Sequence, residues 1–90
     1  MHQPTIGRIV HYTLTEQDAA QIANDRASAV DRTLRHNPVS PGQTYPAVVV
    51  RTFGGPAVNL QVFLDGTDTY WATSRVEGDG PGQWIWPPRV

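Results

Sequence analysis

Cysteine and lysine are both missing from this sequence, and charged side chains of any kind are scarce. Without cysteine, neither a disulfide framework nor a thiolate metal site can form. Charged residues make up 17% of the chain and hydrophobic residues 39%, a balance that favours a folded domain over disorder. With a net charge of −1, the chain lacks the clustered positive charge that binding to duplex nucleic acid needs, so we expect no duplex partner.

Long apolar runs are missing as well. The longest, residues 46–50, is far shorter than the roughly 20 residues that span a bilayer. The first residues also lack the basic and apolar regions of a signal peptide. We therefore expect no membrane association and a cytoplasmic location.

Catalytic and metal-binding signatures are not found either. There is no Gly-x-Ser-x-Gly elbow, and the glycine-rich stretch 78–82 lacks the Gly-Lys-Ser/Thr ending of a Walker loop. The three histidines, His2, His11 and His36, have no paired metal-ligand spacing. The sequence predicts a protein that is not an enzyme and holds neither a metal ion nor a cofactor.

Strand-forming patterns, in contrast, recur along the chain. Five segments are rich in β-branched and aromatic residues or alternate apolar with polar side chains: residues 7–14, 44–53, 58–65, 69–76 and 83–86. The Asp65-Gly66 pair between two of them is a strong hairpin signal. In the fourth strand, regular alternation predicts Tyr70, Ala72 and Ser74 on one face, and Trp71, Thr73 and Arg75 on the other.

A helix is predicted between the first two strands. Thr15 has the features of an N-cap, with acidic residues in the following turn, and Asn37-Pro38 stops helical geometry. A thin apolar stripe recurs at helical spacing: Ala19, Ala23, Ala27, Val30 and Leu34. We predict a helix over residues 16–26 that extends to about 35, either continuously or with a break near Ser28.

The predicted architecture is a single domain, residues 1–90, mainly β within the α+β class, with a helical insertion over about 16–36. Two arrangements fit: a small five-stranded antiparallel SH3-like barrel, or an open sheet with one helix packed on it. A core this small supplies only a few kcal/mol of net stability, roughly 3–5, so we also expect a homo-oligomer.

Aromatic residues gather near the C-terminal end. Trp71, Trp84 and Trp86 fall within sixteen residues, and Trp84 and Trp86 share a face if their strand is regular. Two interpretations stay open: these side chains close a minimal core, or they form a stacking platform beside arginines. All seven basic residues are arginine, which fits either GC-rich codon usage or bidentate recognition of carboxylate or phosphate.

Three segments carry a resemblance. The start Ile-Gly-Arg-Ile-Val-His-Tyr-Thr-Leu, the middle Tyr-Pro-Ala-Val-Val-Val-Arg with Val-Phe-Leu-Asp-Gly, and the end Glu-Gly-Asp-Gly-Pro-Gly-Gln-Trp-Ile-Trp-Pro-Pro resemble a group of small, mostly uncharacterised proteins of actinobacterial phages. The resemblance covers residues 4–14 and 44–89. It implies a phage origin and a β-rich fold, and it brings no activity and no site residues.

The leading functional hypothesis is a non-enzymatic phage binding protein, a homo-oligomer in the host cytoplasm that sequesters a nucleotide-like immune signal. This hypothesis rests on an analogy with one class of phage anti-defence proteins, the sponges that sequester nucleotide signals, and not on a shared motif. In it, Trp71, Trp84 and Trp86 stack on the ligand, Arg8, Arg51 and Arg75 meet phosphate, and His11 and Tyr12 make polar contacts. The alternative is an interaction module attached to the virion or docked on a host protein.

Overall fold

The computed structural model describes residues 3–88; His2, one of the three histidines considered above, and Arg89, one of the seven arginines, lie outside this range. Its elements, in chain order, are β1 (Ile9–Thr13), α1 (Glu16–Ser28), β2 (Thr44–Thr52), β3 (Val58–Phe63), β4 (Thr69–Arg75) and β5 (Trp84–Ile85).

The five strands form one antiparallel sheet in the order β4-β3-β2-β1-β5. This confirms the predicted mainly β fold with one helix after the first strand, in its open-sheet form, because the sheet is not closed. A single parallel bridge between Glu77, just after β4, and Trp84 in β5 brings the two sheet edges close at one end.

The core lies on one face of this sheet, which we call the inner face. Alternate residues of each strand point into it, as the period-2 pattern predicts, and their side chains are almost completely buried. The core cluster comprises Val10, Tyr12, Leu14, Ile22, Ala47, Val49, Val58, Leu60, Val62, Leu64, Ala72 and Trp84.

Helix α1 begins where the sequence predicts, because Thr15 forms a capping box with Asp18 at the third helical position. It buries Asp18, Ala19 and Ile22 against the sheet. The helix runs antiparallel to β4: Asp18 contacts Arg75 near its N-terminal end, and Arg26 contacts Asp68, just before β4, near its C-terminal end. One long side of α1 therefore follows β4.

The predicted extension of the helix to residue 35 or 36 is wrong. The helix ends at Ser28, with Ala29 in extended geometry, and Val30 is 95% exposed. A longer helix would have little to bury, because Ala23 and Ala27 of the predicted stripe are also exposed. Tertiary packing provides most helical stability in proteins, so the chain leaves helical geometry there.

The segment after the helix pairs instead with the turn between β3 and β4. His36 forms an antiparallel bridge with Gly66, and the backbone N–H groups of Asn37 and Thr67 donate across it to Asp65 and Arg35. This pairing fastens the long connection to the hairpin. Within residues 3–88, no helix has the length and apolar character needed to cross a bilayer.

Candidate binding groove between α1 and β4

Asp18 is the centre of a buried polar network between α1 and the sheet. One carboxylate oxygen accepts from the hydroxyl of Tyr12 at 2.5 Å and from the backbone N–H of Thr15 at 2.9 Å. The other accepts from the hydroxyl of Tyr70 at 2.8 Å and from Nη2 of Arg75 at 3.2 Å. With the side chain 1% exposed, these four donors replace the water that the carboxylate loses on folding.

The network fixes the protonation state of its members. Burial alone would raise the pKa of Asp18, but the hydrogen bonds from Thr15, Tyr12 and Tyr70 and the charge of Arg75 outweigh it and lower that pKa below its usual range. Burial and the neighbouring carboxylate raise the pKa of Tyr70 to about 12 and that of Tyr12 still higher. The carboxylate therefore stays ionised and both tyrosines stay protonated as donors.

This arrangement is a brace between elements. Both oxygens of Asp18 already accept two hydrogen bonds each, which leaves no free position from which the carboxylate could take a proton from a substrate. Its negative charge also compensates the guanidinium of Arg75. The network supplies a rigid, electrically neutral wall for the space beside it.

Arg75 reaches Asp18 only because β4 contains a bulge, and this overturns the predicted alternation of that strand. Leu60 pairs with Ala72 but Val58 pairs with Arg75, so β4 has one more residue than β3 across this stretch. Ser74 takes a positive φ of 55°, and its N–H donates to the side chain of Asn59. The extra residue turns Arg75 onto the inner face, a re-aiming that bulges commonly perform.

A groove of about 890 Å³ lies beside this network, between α1 and β4. The helix lines it with small and amide side chains over its whole length, and β4 lines it with two residues of the Asp18 network. The main contributors are Gln17, Ala20, Gln21 and Asn24 from α1, and Tyr70 and Arg75 from β4.

Next to the groove, β4 is an edge strand of seven residues, and within residues 3–88 no further strand pairs with it. Over residues 69–73 it contains no proline, charged residue or bulge, the usual devices that protect a sheet edge; the bulge at Ser74 and the inward-turned Arg75 protect only its C-terminal end. Its one charged residue, Arg75, is turned inward. The opposite edge strand, β5, has only two residues and is bridged by Glu77.

Five of the residues predicted to bind a ligand lie on or near the inner face. Tyr12 and Trp84 are buried in the core, where Trp84 donates its indole N–H to the backbone oxygen of Arg75. Trp86 packs edge-on against Trp84 with ring centroids 5.3 Å apart, as their predicted common face requires. The guanidinium of Arg8 lies 5.0 Å from the centre of the Trp86 ring.

The other three predicted residues lie away from that group. His11 and Trp71 are on the opposite face of the sheet, which we call the outer face. Arg51 is exposed and stacks on Phe53. The structure therefore brings together Tyr12, Arg75 and Trp84, places Arg8 on Trp86, and separates His11, Trp71 and Arg51 from both.

Sequence reasoning missed Asp18 and Tyr70 as site residues. The capping pattern identified the local role of Asp18, but nothing in a linear pattern shows that two tyrosines from distant strands converge on it. Among residues 3–88, no group of three or more histidine or acidic side chains is arranged to hold a metal ion.

No family model, curated protein or solved structure matches this chain. Functional proposals for it therefore rest on its own geometry.

Proposed function

We propose that this chain is a non-enzymatic protein-binding module that takes up an extended segment of a partner protein as an additional strand on β4. The observation that carries the proposal is the unpaired edge of β4, regular over residues 69–73, beside a groove of about 890 Å³. This proposal develops the alternative function given in the sequence analysis, an interaction module, and assigns it to a specific site.

The edge of β4 supplies the affinity in this proposal. An edge strand presents a row of backbone N–H and C=O groups without partners, and an added strand satisfies them through a regular ladder. The bulge at Ser74 ends the regular part of β4. We therefore place the added strand beside residues 69–73.

Helix α1 supplies the selectivity. The stretch from residue 17 to residue 27 is about 15 Å long at 1.5 Å per residue, which matches four or five extended residues at about 3.3 Å each. Alternate side chains of an added strand would face the helix. There the methyl group of Ala20 leaves room for an apolar side chain, and Gln17 and Gln21 offer amide groups beside it.

The charge of the groove favours an uncharged segment. Asp18 and Arg75 compensate each other, and the remaining lining side chains are alanine, amides and a protonated tyrosine. A nucleotide, in contrast, carries negative charge that needs free cationic groups. Nucleotide capture remains a prediction. It has less support than peptide binding, because the eight residues predicted to bind a nucleotide do not converge on one site.

Selection from a displayed library of random twelve-residue peptides tests the proposal. The immobilised full chain should enrich peptides with runs of β-branched and aromatic residues. A synthetic, fluorescein-labelled representative should bind in the micromolar range by fluorescence anisotropy. Ala20→Trp, which fills the groove from an exposed helix position, should weaken this binding at least about tenfold (about 1.4 kcal/mol).

Ala29→Trp is the matched control, because it makes the same change at an exposed position that does not line the groove. It should leave peptide binding unchanged. No enrichment over empty resin, or equal binding by Ala20→Trp and the parent chain, would overturn the proposal. Calorimetry against cyclic nucleotides and ADP-ribose derivatives is the parallel test of nucleotide capture, and mass spectrometry of purified particles tests the virion location.

A further inference from the structure

The outer face of the sheet carries two neighbouring rows of side chains with no Asp, Glu, Lys or Arg, in which His11 is the one ionisable residue. The next row on this face contains Asn59 and, opposite it, Arg51. The cross-strand register aligns Trp71, Gln61, Val48 and Ile9 in one row. The second row lies two residues further along each strand and comprises Thr69, Phe63, Pro46 and His11, with Ile85 of β5 opposite His11.

Large apolar side chains of this face are exposed to solvent. Trp71 is 60% exposed, Ile9 46%, Phe63 44% and Ile85 41%, although they lie close together on one surface. Interface centres are depleted of charged residues and enriched in aromatic ones, whereas ordinary protein surfaces are not. Helix α1 covers only the inner face, so nothing in residues 3–88 covers the outer one.

We propose that a second copy of this chain covers the outer face, so that two sheets pack face to face about a two-fold axis. The absence of charge is what favours a second copy. A symmetric interface brings each residue type near its own kind, and charged rows would repel each other there. Rows of aromatic, aliphatic and uncharged polar side chains, with His11 as the one ionisable member, avoid most of this repulsion.

The available area fits a weak but specific dimer. Strands about 4.8 Å apart, with a mean length of about 20 Å, give a face of roughly 500 Å², which has the row that contains Arg51 at its margin. Two such faces together reach roughly 1,000 Å², the size at which specific interfaces begin. We therefore expect a dimer that forms in the micromolar range and dissociates on dilution.

This dimer goes beyond the proposed peptide binding and does not depend on it. The groove opens between α1 and β4 on the inner side of the sheet, whereas the dimer uses the outer side. Both grooves would stay open in the dimer, which would then present two peptide sites.

Sedimentation equilibrium of the full chain over about 5–500 µM tests the inference. The parent chain should change from monomer to dimer within this range. Trp71→Lys should raise the dissociation constant at least about thirtyfold, because it replaces the most exposed aromatic side chain of each face with a lysine and so adds a like charge to both copies. Phe63→Lys, which changes a second strand of the face, should act in the same direction.

Val30→Lys is the matched control: it makes an apolar-to-lysine change at a residue that is 95% exposed and lies outside the outer face. It should dimerise like the parent chain, and circular dichroism should show the same fold for all variants. A parent chain that stays monomeric at 500 µM overturns the inference. So does a dimer that tolerates both lysine variants. Because peptide binding is measured separately by anisotropy, failure of one proposal leaves the other testable.

Discussion

At Asp18, donors from β1, β4 and the start of α1 meet one buried carboxylate. Asp18→Asn keeps the size of the side chain but replaces one acceptor oxygen with a donor, which must face either the backbone N–H of Thr15 or the guanidinium of Arg75. Breaking such a network leaves polar groups buried without partners. We expect this substitution to lower the free energy of unfolding by about 2–4 kcal/mol, measured by urea denaturation.

Asp25→Asn is the control for that prediction, since Asp25 lies on the same helix but is exposed. Its effect should stay within about 0.5 kcal/mol, as for most surface substitutions. A loss below about 1 kcal/mol for Asp18→Asn would show that the network is not a brace.

The same residues predict how stability depends on pH. The pKa of Asp18 is lower in the folded state than in the unfolded chain, so its contribution is present above its ordinary value of about 3.9 and is lost as the pH falls. The pKa of Tyr70 rises from 10.0 to about 12, so its contribution is present below pH 10 and is lost between pH 10 and 12.

Urea unfolding at a series of pH values should therefore give a plateau between about pH 5 and 9, with a fall on both sides. Tyr70→Phe should reduce the alkaline fall more than the acid fall, because Asp18 keeps its other three donors. An alkaline limb that is identical in the parent chain and in Tyr70→Phe would contradict the role given to that hydroxyl.

Among the elements, β4 depends on an unfavourable backbone conformation. Ser74 has a φ of 55°, a region that glycine enters at little cost and other residues do not. Ser74→Gly should therefore stabilise the chain by about 0.5–1 kcal/mol, with the N–H bond to Asn59 kept. Thr73→Gly, one residue earlier in the strand, should instead destabilise by about 0.5–1 kcal/mol. Equal effects of the two changes on thermal unfolding would contradict the bulge.

The close pairing between the long connection and the β3–β4 turn gives a second prediction for the elements. A Cβ atom added at Gly66 would lie 2.7 Å from the backbone oxygen of Arg35, whereas one added at Gly55 would meet nothing within 4 Å. Gly66→Ala should cost about 1–3 kcal/mol of unfolding free energy, and Gly55→Ala should be close to neutral. The two variants differ only in position, so comparable urea midpoints would disprove this pairing.

The sequence predicted the elements that depend on local patterns. The five strands and the helix start at Thr15 follow from alternation and capping, and both are found. The helix end and the face of Arg75 were predicted wrongly, because they depend on distant contacts. Residues 35–37 pair with a turn some 30 positions away, and the bulge is defined only by the register with β3.

For the molecule as a whole, the tryptophans near the C-terminal end divide between the core and the outer face of the sheet. Trp84 closes the core with Trp86 packed on it, whereas Trp71 is exposed on the outer face. Closeness along the sequence could not show which tryptophan is in the core and which is exposed, because strand pairing decides the face that each side chain occupies. The groove was likewise invisible in the sequence, because α1 and β4 are some 40 residues apart along the chain.

Amide hydrogen exchange in the presence of a selected peptide tests the central claim most directly. Saturating peptide should slow exchange at the alternate amides of residues 69–73 that point away from β3, because an added strand accepts hydrogen bonds from them. The amides of β2, already paired on both sides, should change little. Unchanged exchange along β4 with peptide bound, or protection confined to the outer-face residues of β1 and β2, would contradict strand addition at this edge.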